Sequence, residues 1–174
     1  MLDISASYSR YSFLGHEFLT WLWYIIEKDP DRIKDEEGVP IFLEIGNRIV
    51  LENMQKDAVE SITIKGDDAG LEEGVLALRK GAVVTEINLI LRAGDQEWQF
   101  TIKGEGLSMV SLKPPSSGSL ESKKDLEGIV IEKVYLVDRI IRLMDDLYKQ
   151  FIKLRVSMDW NEKVIPFVRQ WIYS

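Results

Sequence analysis

Leu14-Gly15-His16-Glu17-Phe18-Leu19-Thr20-Trp21-Leu22-Trp23-Tyr24-Ile25-Ile26 is apolar almost all round when wound as a helix of about 3.6 residues per turn. Only His16, Thr20, Tyr24 and Glu27 interrupt it, and their spacing of four, four and three lays them along one narrow polar stripe. A helix this aromatic must be covered on most sides. It is either the central pillar of a core or a surface that a partner completes, and Trp21 and Trp23 here, with Trp160 and Trp171 near the other end of the chain, are the candidate aromatic interface.

Outward from this helix the pattern changes. Lys28 to Glu37 is an acidic connector containing Asp29-Pro30-Asp31. From Val39 onward the apolar period becomes two. Ile41 to Ile45 and Arg48 to Glu52 read as two extended runs separated by Gly46-Asn47, a tight hairpin in which Gly46 supplies the positive φ of a type II′ turn. Ser61 to Lys65 is a third strand. Leu71, Val75 and Leu78 then recur at helical spacing, with Glu72 and Glu73 in the first turn, Arg79 and Lys80 at the end, and Gly81 as the stop. Three further strands follow, Val83 to Leu91, Trp98 to Lys103 and Leu107 to Leu112. The turns between them, Ala93-Gly94-Asp95 and Gly104-Glu105-Gly106, are short enough to require antiparallel pairing.

Residues 114–122 are linker-like, and Ser122 is placed to cap a long helix from about Lys124 to Val156. The apolar residues Val130, Val134, Val137, Ile141, Met144, Tyr148 and Phe151 alternate steps of four and three along it, and a second seam, Ile140, Leu147 and Leu154, widens the stripe. Asp159 with Glu162 suggests a capping box for a last helix whose aromatic face is Trp160, Val164, Phe167 and Trp171, with Pro166 kinking it or lying near its start. The order predicts one α+β domain over residues 1–174. An antiparallel sheet of about six strands carries an N-terminal aromatic helix, a middle helix and two C-terminal helices.

Composition narrows the chemistry. The chain has 174 residues, no cysteine and one histidine, which removes thiolate nucleophiles, disulfides, iron–sulfur clusters and the usual Cys/His zinc sites. The apolar run near the N-terminus is about 14 residues, short of the roughly 20 that span a bilayer, and Asp3 and Glu17 do not suit a signal peptide, so a cytoplasmic protein without a membrane span is expected. Acids outnumber bases 29 to 22, a net charge of −7, which opposes the counterion release that drives duplex binding unless the bases segregate on one face. The candidate face is the long helix, where Lys124, Lys133, Arg139, Arg142, Lys149 and Lys153 form a possible partner or nucleic-acid stripe, diluted by Asp138, Asp145 and Asp146.

No catalytic set emerges. His16-Glu17 begins like a zincin helix, but Thr20 stands where the second histidine belongs. Gly104-Glu105-Gly106 and Gly66-Asp67-Asp68 lack phosphate-loop spacing, and their carboxylates repel phosphate. The acid pairs Glu36-Glu37, Asp67-Asp68 and Glu72-Glu73 leave a metal-dependent carboxylate enzyme as an alternative, without EF-hand spacing. No catalytic residue, cofactor or metal is therefore assigned.

The segment Phe13 to Trp23 resembles one in bacterial RdgC-like, recombination-associated proteins, where a Leu-Gly-x-Glu-Phe-Leu-x-Trp-Leu-Trp run opens the C-terminal part. Arg48 to Glu52, Leu76 to Gly81, Glu97 to Thr101, the long helix and the Trp-rich end follow in a similar order. These are packing residues, so the resemblance transfers no functional residue. It implies a DNA-related setting in which RdgC-type proteins act as ring-like dimers with a basic interior around duplex DNA, from which this shorter, acidic chain departs. The expectation is a non-catalytic accessory protein acting through a protein partner or a homo-oligomer, in recombination or phage–host conflict. A DNA-binding dimer using the long-helix stripe is the alternative.

Overall fold

The computed structural model describes residues 4–35, 37–53, 60–116 and 125–174, with the backbone alone at 4–13 and 125. Helix α1 (Ile4–Lys28) is the aromatic helix. Phe18, Leu19, Trp21, Leu22, Trp23 and Ile25 are buried on several sides of it, while His16, Thr20, Tyr24 and Glu27 stay half-exposed along the polar stripe. The pillar alternative is the one realised. Trp21, Trp23, Trp160 and Trp171 are all buried within the chain, so the aromatic interface expected of them is internal: α1 lies between the sheet and the C-terminal helices, and these cover its indoles.

Among the described residues five strands form one antiparallel sheet: β1 (Phe42–Asn53), β2 (Glu60–Lys65), β3 (Val83–Ala93), β4 (Gln96–Lys103) and β5 (Ser108–Lys113), in the order β2-β1-β3-β4-β5. The sequence suggests about six strands, and the difference lies at Gly46-Asn47. These residues do not turn the chain, because β1 runs straight through them and pairs with β3 on both sides. Ile45 faces Leu89 and Ile49 faces Ile87, so three residues of β1 oppose Asn88 alone, a bulge rather than a hairpin. Asn88 explains it. Its side-chain oxygen accepts from the Asn47 N–H at 3.0 Å, replacing the lost ladder partner, and its amide nitrogen donates to the Phe100 carbonyl and the Thr101 hydroxyl, both at 3.0 Å. Glycine is required at 46 by space, since a Cβ there would lie 2.0 Å from that oxygen. The positive φ falls instead at Gly94, first of the two residues joining β3 to β4, at +64°.

Apolar residues alternate onto one sheet face. The register aligns Leu43–Leu91–Trp98, Ile45–Leu89–Phe100 and Ile49–Ile87–Ile102 across β1, β3 and β4. The opposite face carries charge ladders: Glu86 pairs with Arg48 and Lys103 at 3.4 and 3.3 Å, and Arg92 pairs with Glu44 and Glu97, each at 2.7 Å. Helix α1 packs on β3, and its Gly15 lies so close to the β4–β5 connection that a Cβ would sit 1.9 Å from the Gly104 carbonyl oxygen.

Helix α2 (Asp68–Arg79) begins at Asp67, whose carboxylate accepts from the Gly70 N–H at 2.9 Å. It ends as the sequence predicts. Gly81 takes φ +89°, its N–H bonds the Leu78 carbonyl, and the Ala82 N–H bonds the Ala77 carbonyl, a Schellman closure. In the acidic connector, Ile33 is buried as an apolar plug that the run of charges hides.

Helix α3 (Asp125–Arg155) is the long helix, and α4 (Ile165–Tyr173) follows a π-turn at Trp160–Val164. Pro166 sits near the start of α4, where its missing N–H is tolerated, and the Ile165 N–H bonds the Trp160 carbonyl five residues back. The expected capping box is absent: the Asp159 carboxylate pairs with Lys163 at 2.8 Å and makes no cap bond. The wider π-turn also rotates the aromatic face, so Trp160, Val164 and Trp171 are buried while Phe167 points outward. No helix among the described residues is long and apolar enough to cross a membrane.

Candidate protein-interaction surface

Helix α3 meets the body of the protein at Leu136 and beyond. There the Trp98 indole donates to the Leu136 carbonyl at 3.1 Å, and Arg139 lies over the Trp98 ring, 5.6 Å from its centroid, while bonding Gln96 at 2.7 Å. From this point to the C-terminal end Leu136, Ile140, Leu143, Met144, Leu147 and Phe151 are buried. Between Leu126 and Tyr135 no side chain is buried. This arm of ten residues spans about 15 Å at 1.5 Å per residue.

The arm is not polar. Val130, Val134 and Ile141, three members of the seam that steps by four and three, are 52%, 63% and 53% exposed, and Leu126, Ile131 and Tyr135 are exposed beside them. The same seam reaches the core at Met144, Tyr148 and Phe151, towards the C-terminal end of the helix, and Ile140 and Leu147 of the second seam are buried. The body of the protein therefore covers one seam and leaves the N-terminal half of the other open, at the heptad period of a helix that pairs with another helix.

The basic residues of α3 are placed as follows. Lys124 lies outside the described residues. Arg139, Arg142, Lys149 and Lys153, separated by three, seven and four, share one exposed side, and Lys133 points elsewhere, about 120° round the helix from Arg139. Acids on the same side neutralise much of the stripe: Arg142 pairs with Asp138 at 2.6 Å, and Lys149 with Asp145 at 2.7 Å and Asp146 at 3.6 Å. Such pairs one helical turn apart are screened and add little stability, but they cancel the local field that would draw phosphates. Arg155, also basic, is spent internally on Glu17 at 2.5 Å and on the Trp160 ring.

His16 is half-buried beside the Gly104 turn. Burial holds its imidazole below the ordinary value of 6.5, opposed by the carboxylates of Glu52 and Glu105. Among the described residues no three His, Asp or Glu side chains converge to hold a metal ion. The sequence carried two adjacent seams, more than one sheet face covers, but not which part of them is exposed, which depends on where the β3–β4 hairpin ends under the helix. Comparison of the chain with protein-family models, with curated proteins and with solved structures finds no match.

Proposed function

We propose that this chain is a non-catalytic accessory protein that works through protein contacts, with the projecting half of α3 as its contact surface. The exposed seam of Val130, Val134 and Ile141 carries the reading, because a row of aliphatic side chains at heptad spacing gains from burial against a second helix and loses nothing that the fold needs. The RdgC-like order of its segments supports a DNA-related setting, recombination or phage–host conflict. Direct duplex binding is the weaker reading, given 29 acids against 22 bases and the ion pairs that occupy Arg142 and Lys149.

A photo-crosslinking side chain placed at Val134, and in a separate variant at exposed Thr63 on the opposite sheet face, tests this in cells of the source organism. Discrete protein adducts from position 134 and none from 63 are expected. Equal labelling from both positions, or none from 134, removes the surface from consideration. Sub-micromolar duplex binding at about 150 mM salt would replace the proposal with the DNA-binding alternative.

A further inference from the structure

Along the open seam of α3, Val130, Val134 and Ile141 are exposed and Val137 between them is half-buried, so four consecutive steps of the four-three pattern face outward together. The seam is bounded at both ends. Glu127 takes its next position towards the N-terminus, and from Met144 onward the body of the chain covers it, where Met144 and Tyr148 share a groove of about 430 Å³ with Leu107 and Met109 at the start of β5. The helical repeat sets the seam roughly a third of a turn from Leu136 and Ile140, the side chains that anchor α3, so a facing helix approaches beside the body and not through it.

Resting on the reading of the α3 arm as the contact surface, we propose that its seam takes a second copy of this chain. The two arms pack as an antiparallel pair about a two-fold axis, with Val130 against the partner's Ile141 and Val134 against the partner's Val137. The direction follows from where the bulk lies. In a parallel pair the Leu107 and Met109 sides of both copies would meet at the level of Met144, whereas in an antiparallel pair that level faces the slender N-terminal arm, along which no described side chain is buried. One rotation then buries the seam of both copies, as a self-complementary two-fold interface requires. Charge selects the register. Lys133 and Asp138 flank the seam on opposite sides. Sliding the partner by one heptad sets Lys133 beside the partner's Lys133, and sliding it the other way sets Asp138 beside the partner's Asp138. In the register proposed, Lys133 flanks the partner's Ile140 and Asp138 flanks the partner's Ile131, so neither meets its like. Four layers engage far fewer than the about 20–30 residues a side of a standard interface, so the dimer is weak, with a dissociation constant on the order of 100 µM.

Sedimentation equilibrium of the full chain from about 20 to about 500 µM, a range that brackets this constant, reads the association directly. The parent is expected to show a monomer–dimer equilibrium. Val130→Glu and Ile141→Lys, both at exposed positions outside the core, should each weaken it at least about tenfold, because each sets a charge against an aliphatic side chain of the second copy. Mixed in equal amounts, the two variants should associate to within about threefold of the parent, since the introduced carboxylate and ammonium then face each other. In a parallel pair position 130 faces position 130, and mixing restores nothing. The proposal is overturned if the parent stays monomeric throughout the range, if either variant alone associates like the parent, or if the mixture stays monomeric. A monomeric parent that still gives protein adducts from position 134 removes the second copy and keeps the contact surface, whereas a monomeric parent without adducts removes both.

Discussion

Replacing Glu27 tests how the C-terminal helix is held to the aromatic pillar. The Glu27 carboxylate accepts from the Trp23 indole at 2.5 Å and from the Trp171 indole at 3.0 Å, joining α1 to α4 at a point where the two rings meet edge to face, 5.3 Å apart. Both indoles are buried, so Glu27→Leu leaves two donors without an acceptor. At about 1–3 kcal/mol per orphaned group, with the low end favoured because Glu27 itself is half-exposed and admits some water, the loss is about 2–3 kcal/mol. For a chain of this size that lowers Tm by roughly 4–12 °C. Glu27→Gln keeps only one of the two accepting oxygens, because the Trp23 indole donates to Oε1 and the Trp171 indole to Oε2, so it orphans one donor and costs about 1–3 kcal/mol. Urea unfolding of the parent, both single variants, Trp171→Phe and the Glu27→Leu/Trp171→Phe pair measures these terms. The pair should be less destabilised than the sum of its singles, because the second change removes a donor that the first had orphaned. Glu27→Leu or Glu27→Gln as stable as the parent refutes the reasoning.

His16 gives a pH dependence of defined sign. Burial lowers its folded value below 6.5, so the unfolded chain binds the proton more readily. The contribution is fully present above about 6.5, the unfolded value, and is lost as pH falls from there through the lowered folded value; His16→Gln should flatten that part of a stability–pH profile, and an unchanged profile rules the assignment out. Gly15→Ala and Gly128→Ala should move stability in opposite directions. The first drives a Cβ to 1.9 Å from backbone at Gly104 and should unfold the protein or cost several times more than the second gains; the second meets nothing within 4 Å on α3 and should stabilise by about 0.5–1 kcal/mol, both read from thermal melts. Trp21→Ala should cost about 3–5 kcal/mol as a large core truncation, and a folded variant with the parent's Tm would contradict its burial.

The parts of the fold that were legible in the sequence are those fixed by local chemistry. The four-four-three polar stripe marked the exposed edge of α1, Gly81 marked the close of α2, and short glycine turns marked antiparallel strands. Gly46-Asn47 misled because the same dipeptide serves two purposes. In a hairpin its glycine provides a positive φ; here it provides room for the Asn88 amide, a residue 41 positions further on from Asn47 that no local pattern connects to it. The Asp159/Glu162 pair failed for a related reason. A capping box needs a free helix N-terminus, whereas Ser157 to Val164 bends from one helix into the next, and Asp159 finds Lys163 instead.

The candidate surfaces show the same division more sharply. Heptad spacing on α3 is a property of the sequence, but which of two adjacent seams is buried depends on the angle at which the helix crosses the sheet, and the Trp98–Leu136 and Arg139–Gln96 contacts at the hairpin tip fix that crossing. Upstream of them no described α3 side chain is buried, so the reach of the β3–β4 hairpin, not the helix's own pattern, makes Val130 and Val134 a surface. Each additional residue in the β3–β4 hairpin would extend the sheet by about 3.3 Å and begin to cover the seam. Lengthening that hairpin by two residues on each strand around Gly94-Asp95, while keeping the turn, should therefore bury part of the arm without altering any α3 residue. Loss of crosslinking from position 134 in such a variant, with α3 still helical by amide exchange, is the expected outcome. Retained crosslinking would mean that contact depends on α3's outer side and not on the apolar seam.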